Sequence, residues 1–378
     1  MKNVVNPFII KGYLSKDYFC NRENELDALH RNALNGSNTT LISPRKMGKT
    51  GLIYRFFEDL SSENSFISIY IDIYSSRSLH DFIKLMAEAI LIKFPEKSVI
   101  GRKFLKFLKG LRPLISFDPF TGLPQIQLNF QSSQEIVYTL QGLFTFLETQ
   151  QTPIIIAIDE FQQISKYPED NVEALLRTYI QQLKNVQFIF CGSNKSMMTE
   201  MFSNAKRPFF ASTRLLYLDK IENAEYEKFI RKHFESNKMQ IKDDALSIIL
   251  QWSKSHTFYT QNLCNHIFSM KTNIIDIDIV KDAMSNILKE NEAFFYQYRH
   301  LLTPAQWNYL IAIAKENEIS QVTAQKFISK YNIGTPANSR RILKSLLEKE
   351  LILEIVKKDK TVYQIYDVFL SRWLEVKY

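Results

Sequence analysis

The chain has 378 residues, too many for one ordinary hydrophobic core, so two or three domains are expected. Hydrophobic residues make up 45% and charged residues 23%, the composition of a soluble globular protein, and no run of about 18 uncharged apolar residues offers a membrane span. Lys and Arg number 48 against 40 Asp and Glu, a net charge of +8 that suits a polyanion partner and equally suits plain solubility. The N-terminal MKNVVNPFIIKGYLSKDYF has neither a long apolar core nor a small-residue cleavage site, so it does not read as a signal peptide. Cys20, Cys191 and Cys264 stand far apart and six histidines are scattered without ligand spacing, which fits a reduced, cytoplasmic setting and no structural metal.

From Thr39 to Leu218 short β-type runs alternate with helical stretches. The runs are TTLIS (39–43), FISIYID (66–72), PIIIAIDE (153–160), VQFIFCG (186–192) and RLLYL (214–218). Each is apolar throughout, the pattern of strands buried on both faces of a parallel sheet, so an α/β domain is expected. The first run leads into SPRKMGKTG and then a helical stretch to Ser61. A phosphate-binding loop needs inward backbone N–H groups, a following helix N-terminus, a lysine for the β- and γ-phosphates and a hydroxyl for Mg²⁺. Ser43, Pro44, Arg45, Lys46, Met47, Gly48 and Gly51 supply the backbone, Lys49 the cation and Thr50 the hydroxyl. The usual opening glycine is Ser43, small enough to make the turn out of the strand.

Between Phe94 and Phe130 the alternation is interrupted. KFLKFLKGLR sets Lys103, Lys106 and Lys109 beside Phe104, Phe107 and Leu108, and PLISFDPFTGLPQIQLNF gives two short β-type runs around a Pro119–Pro124 turn. An amphipathic helix and a hairpin inserted at about 95–130 are expected, the basic face being solvated or touching a polyanion. The third run delivers Asp159 and Glu160 to a strand's C-terminal end, where open parallel sheets bind ligands. Asp159 suits the metal, through water, and Glu160 suits a base that polarises the attacking water. The fourth run ends in Ser193 and Asn194, either of which could orient that water.

After Asp219 the pattern is helical: NAEYEKFIRKHFES, DDALSIILQWSKS, TFYTQNLCNHIFS and Ile277 to Leu301. From Thr303 it changes to helix (Pro304–Lys315), helix (Val322–Lys330), a Gly334-Thr335-Pro336 break, helix (Ala337–Lys349) and the runs LILEIV and TVYQIY. Three helices and a hairpin is the winged-helix order. The expected domains are a core at 1–220, a helical lid at 221–301 and a winged helix at 302–378.

Taken together, these residues resemble the prokaryotic, archaeal-type AAA+ ATPases that group with the STAND ATPases. DYFCNRENELDAL (17–29) is similar to the family's opening motif near the adenine, with Asn21 for its glycine and with Arg22, Glu23, Glu25 and Leu26 retained. SPRKMGKT, YIDIYSSRS around Asp72, IIIAIDEFQ and FCGSNKSMM follow in order. SHTFYTQNL (255–263) resembles a lid motif, keeping His256, Tyr259 and Gln261 with Thr257 for proline, and VYQIYDVFLSRWL resembles the closing motif. The resemblance implies a P-loop sheet with an acidic base in strand order 5-1-4-3-2, a helical lid and a C-terminal winged helix. It implies Arg22 and His256 near the nucleotide, and assembly with a neighbouring subunit whose arginine completes the site. Arg207 and Arg214 lie where the family carries arginine.

The expected function is that of an ATP-binding and slowly hydrolysing ATPase that switches conformation or assembly. ATP and Mg²⁺ are the cofactors; Lys49, Glu160 and Asn194 are the catalytic candidates and Thr50 and Asp159 the metal candidates. The alternative is a DNA-binding regulator or initiator, and a further rival is a scaffold that holds nucleotide without turnover. The third winged-helix helix carries Ser339, Arg340, Arg341 and Lys344 for phosphates, with Asn338 or Arg340 for base edges, but also Glu348 and Glu350, which suit packing against protein. ADP, a second copy of the chain, another protein and duplex DNA are thus the partners left open, and a membrane is not among them.

Overall fold

The computed structural model describes residues 6–95, 97–109, 114–357 and 360–378. The start of the N-terminal stretch, the Lys109 side chain and the Gly110 to Pro113 part of the insertion lie outside the described residues. Two compact units are present: Gly12–Lys220, and Ile221–Tyr378 together with the described residues of Met1–Lys11.

In the first unit, five strands form one parallel sheet: β1 (Thr39–Ile42), β2 (Ile67–Asp72), β3 (Ile154–Asp159), β4 (Val186–Gly192) and β5 (Arg214–Tyr217). The spatial order is β2-β3-β4-β1-β5, which read from the other edge is 5-1-4-3-2, as expected. The apolar runs have a direct explanation. Ile154, Ile156 and Ile158 enter one core with Phe188, Phe190 and helix Leu79–Lys93. Ile155 and Ala157 enter the opposite core with Ile189, Cys191 and helix Lys49–Glu63. A strand covered on both faces buries every side chain, so alternation disappears. The edge strand β5 departs from this expectation. Leu215 and Tyr217 remain about two-fifths exposed, at 40% and 42%, because only β1 flanks β5 within the sheet.

The insertion is a helix, Val99–Lys109, and an antiparallel hairpin, Leu114–Phe117 with Pro124–Gln127. Phe104 and Leu108 reach the larger core while Lys103 and Lys106 are solvated.

The second unit holds helices Asn223–Glu235, Asp243–Trp252, Thr257–Ser269 and Ile277–Leu301. A two-residue parallel pair, Gln240–Ile241 with Ile274–Ile275, is too short to signal itself in sequence. Residues 6–11 were expected with the core but belong here. Phe8 is fully buried against Phe234, with ring centroids 4.7 Å apart, and Asn6 donates to the Asn265 carbonyl at 2.9 Å.

The winged helix contains helices Pro304–Glu316, Gln325–Lys330 and Pro336–Glu348 and the hairpin Ile352–Lys357 with Lys360–Ile365. Its second helix starts three residues later than expected. The Val322 carbonyl accepts the Ser339 hydroxyl at 2.5 Å, a tertiary bond that holds the preceding turn out of the helix. A terminal helix, Val368–Lys377, was not expected. Asp367 caps it, accepting from Leu370 N at 3.1 Å, and Trp373 anchors it beside Trp307. Among the described residues no helix is long and apolar enough to cross a membrane.

Candidate active site

Strand order assembles the site. β1 and β3 are both neighbours of β4, and all three end at the same rim: Ile42 pairs with Gly192, and Ile158 with Phe190. The loop that leaves β1 and the acids that end β3 therefore flank the end of β4. The Ser43 amide extends the ladder by donating to Gly192 O at 3.2 Å. Ser43 is fully buried, and the positive φ angles of the loop fall at Lys46 (65°) and Gly48 (92°) rather than there. The turn out of the strand thus has no requirement for glycine at position 43. The left-handed residue before the helix is Gly48, where a side chain would be strained. Alternating left- and right-handed backbone of this kind turns successive N–H groups inward and forms an anion cradle.

Lys49 opens the following helix and is buried. Its ammonium pairs with Asp159 and lies 3.2 Å from Glu160 Oε1. Burial works against its charge, but the Asp159 and Glu160 carboxylates outweigh that, and the Lys49 pKa rises above its ordinary value. Thr50 Oγ1 donates to Asp159 Oδ2 at 3.3 Å. Tyr70, on β2, donates to the same oxygen at 2.7 Å; burial and then the Asp159 charge raise its pKa, so it stays a donor. Asp72, the register partner of Asp159, adds a third carboxyl, and its pKa is raised by burial and by Asp159 and Glu160, against the backbone N–H of Tyr74 and the Lys49 charge.

Glu160 has φ 57°, left-handed for a residue with a side chain, and this turn starts the short 3₁₀ helix Phe161–Lys166. Glu160 Oε2 accepts from Ser193 Oγ at 2.8 Å and from Gln162 Nε2 at 2.5 Å. Of the two water-orienting candidates, Ser193 therefore touches Glu160. The Asn194 carboxamide oxygen caps helix Lys195–Ser203 through Met197 N at 3.0 Å. An Asn directly before a helical run is itself a capping signal and pointed to that use.

Arg22 is buried, donates to Glu25 Oε1 at 2.8 Å and reaches the Met47 carbonyl at 3.4 Å, which ties the opening motif to the phosphate loop. Pro44 is half-buried, Arg45 reaches Ser193 Oγ at 3.5 Å, and Gly51 lies against the Phe19 ring. Arg207 is paired with Glu173 of its own chain. Arg214 begins β5 in register with Thr39, at the opposite rim of the sheet from the loop. His256 belongs to the second unit, where it precedes helix Thr257–Ser269 and its ring lies 4.7 Å from that of Tyr259. Tyr70 and Gln162 were not anticipated. Tyr70 carried no signal, but Gln162 stands two residues after Glu160 and could have been suspected from the turn.

The donor set suits a triphosphate with magnesium. One ammonium and an anion cradle would suit phosphates, and one hydroxyl with one carboxylate is the sparse oxygen set that Mg²⁺ takes while keeping its waters. Among the described residues no group of three or more His, Cys, Asp or Glu is arranged to hold a metal by itself.

Residues 19–256 match the family described as an ATPase domain predominantly from Archaea, and residues 293–376 match a domain described as a probable winged helix domain. No curated protein matches the chain. Among solved structures, the fold is similar to a Walker-type ATPase of Pyrococcus abyssi, at 17% identity over 97% of this chain and 99% of that one, with a TM-score of 0.65. It is similar to the Aeropyrum pernix ORC2 protein solved as ADPNP–ADP complexes, at 16% identity over 98% of both chains, with a TM-score of 0.60. The Aeropyrum pernix ORC1 protein in complex with DNA aligns at 16% identity over 95% of this chain and 93% of that one, with a TM-score of 0.51. With a P-loop sheet, a winged helix and a family match over most of its length, the chain belongs to the ATPase domain family found predominantly in Archaea and is a nucleotide-dependent ATPase.

Proposed function

We propose that the chain binds Mg-ATP at the rim of its sheet and uses binding and slow hydrolysis to switch its conformation or its assembly. The observation that carries this reading is the meeting of Lys49, Thr50, Asp159 and Glu160 at the joint ends of β1 and β3. Lys49 and the loop amides hold the phosphates. Thr50 and Asp159 would hold the metal, which would supply positive charge against the phosphates. Glu160 accepts the proton of the attacking water, and Ser193, already on Glu160 Oε2, takes the orienting role first considered for Asn194 or Ser193. The fold shared with ORC2, solved with ADPNP and ADP, supports a nucleotide-holding molecule.

Phosphate release by the purified chain tests the reading beside Lys49→Ala. The expected result is a slow, magnesium-dependent rate that falls at least about 100-fold in the variant. An unchanged rate in Lys49→Ala would refute the site.

A second reading, DNA contact through the winged helix, is supported by the exposure of Arg340, Arg341 and Lys344 on helix Pro336–Glu348. The fold shared with ORC1, solved in complex with DNA, points the same way. Two residues first considered for DNA are used otherwise. Ser339 is fully buried against Tyr309, and Asn338 Nδ2 donates to Ile333 O at 2.8 Å.

A further inference from the structure

We propose that Gln162 is the positioning residue of hydrolysis: its carboxamide, wedged against the glycine that ends β4, fixes the direction of the Glu160 carboxylate. This rests on the reading of Glu160 as the base. The left-handed φ of Glu160 folds the chain back, and Gln163 N closes the turn on Glu160 O at 2.9 Å. Gln162 then stands beside the residue it follows by two, 7% exposed, with Nε2 on Glu160 Oε2. A carboxylate only accepts, so the nitrogen must face Glu160 and the oxygen must point away.

That oxygen, Oε1, is buried and has no hydrogen-bond partner among the described residues. A Cβ placed on Gly192 would come 2.5 Å from it and 2.4 Å from the Met198 side chain. A residue that only filled this space would be apolar, because an unpaired buried amide oxygen costs stability that Met or Leu would not. The carboxamide is therefore suited to its one bond. The other donors to Glu160 come from elsewhere: Lys49 from the phosphate loop and Ser193 from the turn after β4. Gln162 is the donor that shares the backbone turn of Glu160, so it holds the carboxylate's direction independently of both.

The test compares Gln162→Met, which keeps the volume and removes the donor, with Gln162→Ala, in steady-state ATP hydrolysis by the full chain. Both are expected to lower kcat about tenfold or more while KM for ATP changes less than about twofold, with the Gln162→Met thermal midpoint kept near that of the parent chain. Gln162→Met with the parent kcat would overturn the proposal, as would a loss confined to KM. Should neither variant fold, Gly192→Ala crowds the same carboxamide from the strand side and is read by the same split. Glu160→Gln separates the two readings. If it hydrolyses ATP at the parent rate, the base assignment itself fails. If it is inactive while Gln162→Met is not impaired, only the positioning role fails.

Discussion

Tyr70 shows how a residue without any motif enters the chemistry. It is one apolar-looking position in FISIYID, and its hydroxyl ends 2.7 Å from Asp159 Oδ2 because β2 and β3 are neighbours with Asp72 opposite Asp159. Groups that orient a metal's ligand commonly matter about 10- to 100-fold. Tyr70→Phe is accordingly expected to raise the magnesium concentration needed for half-maximal phosphate release by about tenfold. A magnesium titration of the variant checks it, and an unchanged midpoint would remove Tyr70 from the site. Position 43 teaches the reverse lesson. The glycine missing from the motif is not missed by the backbone, since the left-handed angles belong to Lys46 and Gly48. Asn194 stands where a helix cap is needed and its carboxamide oxygen makes that cap, while the Ser193 hydroxyl lies on Glu160.

At the scale of elements, the five apolar runs identified the strands to within a residue or two, because burial on both faces imposes a composition that shows locally. The same composition misled at the sheet's edge. RLLYL reads like PIIIAIDE, yet Ile156 is fully buried and Leu215 is not. The two are therefore expected to respond differently. Ile156→Ala leaves a cavity in the larger core and is expected to cost about 3 kcal/mol, while Leu215→Ala is expected to cost no more than about 0.5 kcal/mol. Urea unfolding of both variants checks the ratio, and equal losses would contradict the burial of β3. The late start of Gln325–Lys330 follows from a bond between the Val322 carbonyl and Ser339, which no periodicity could announce. The terminal helix is short, and its apolar run Val368-Phe369-Leu370 gives little helical periodicity before Trp373 and Leu374.

At the scale of the whole molecule, the net charge of +8 is informative only where it concentrates. Arg340, Arg341 and Lys344 share one exposed helix, but Glu348 lies 4.0 Å from Lys344 and tempers that face. If the helix meets duplex DNA, affinity falls linearly with the logarithm of salt concentration, and Lys344→Ala lowers that slope by about one. Filter binding or fluorescence anisotropy across salt checks this, and no binding at about 50 mM salt removes the DNA reading.

By itself the sequence determined that a strand–loop–helix carries Gly48, Lys49 and Thr50, that a buried strand ends in Asp159 and Glu160, and that three helices and a hairpin lie near the chain's end. These are local properties, set by backbone sterics and by which faces a segment must bury. Only the tertiary structure decided that β4 lies between β1 and β3, so that Lys49 meets an acid 111 residues further along the chain. It also brought Tyr70 and Ser193 onto the two carboxylates. Strand adjacency is fixed by non-local packing and by the handed crossovers between parallel strands, and neither leaves a mark on any one stretch of residues.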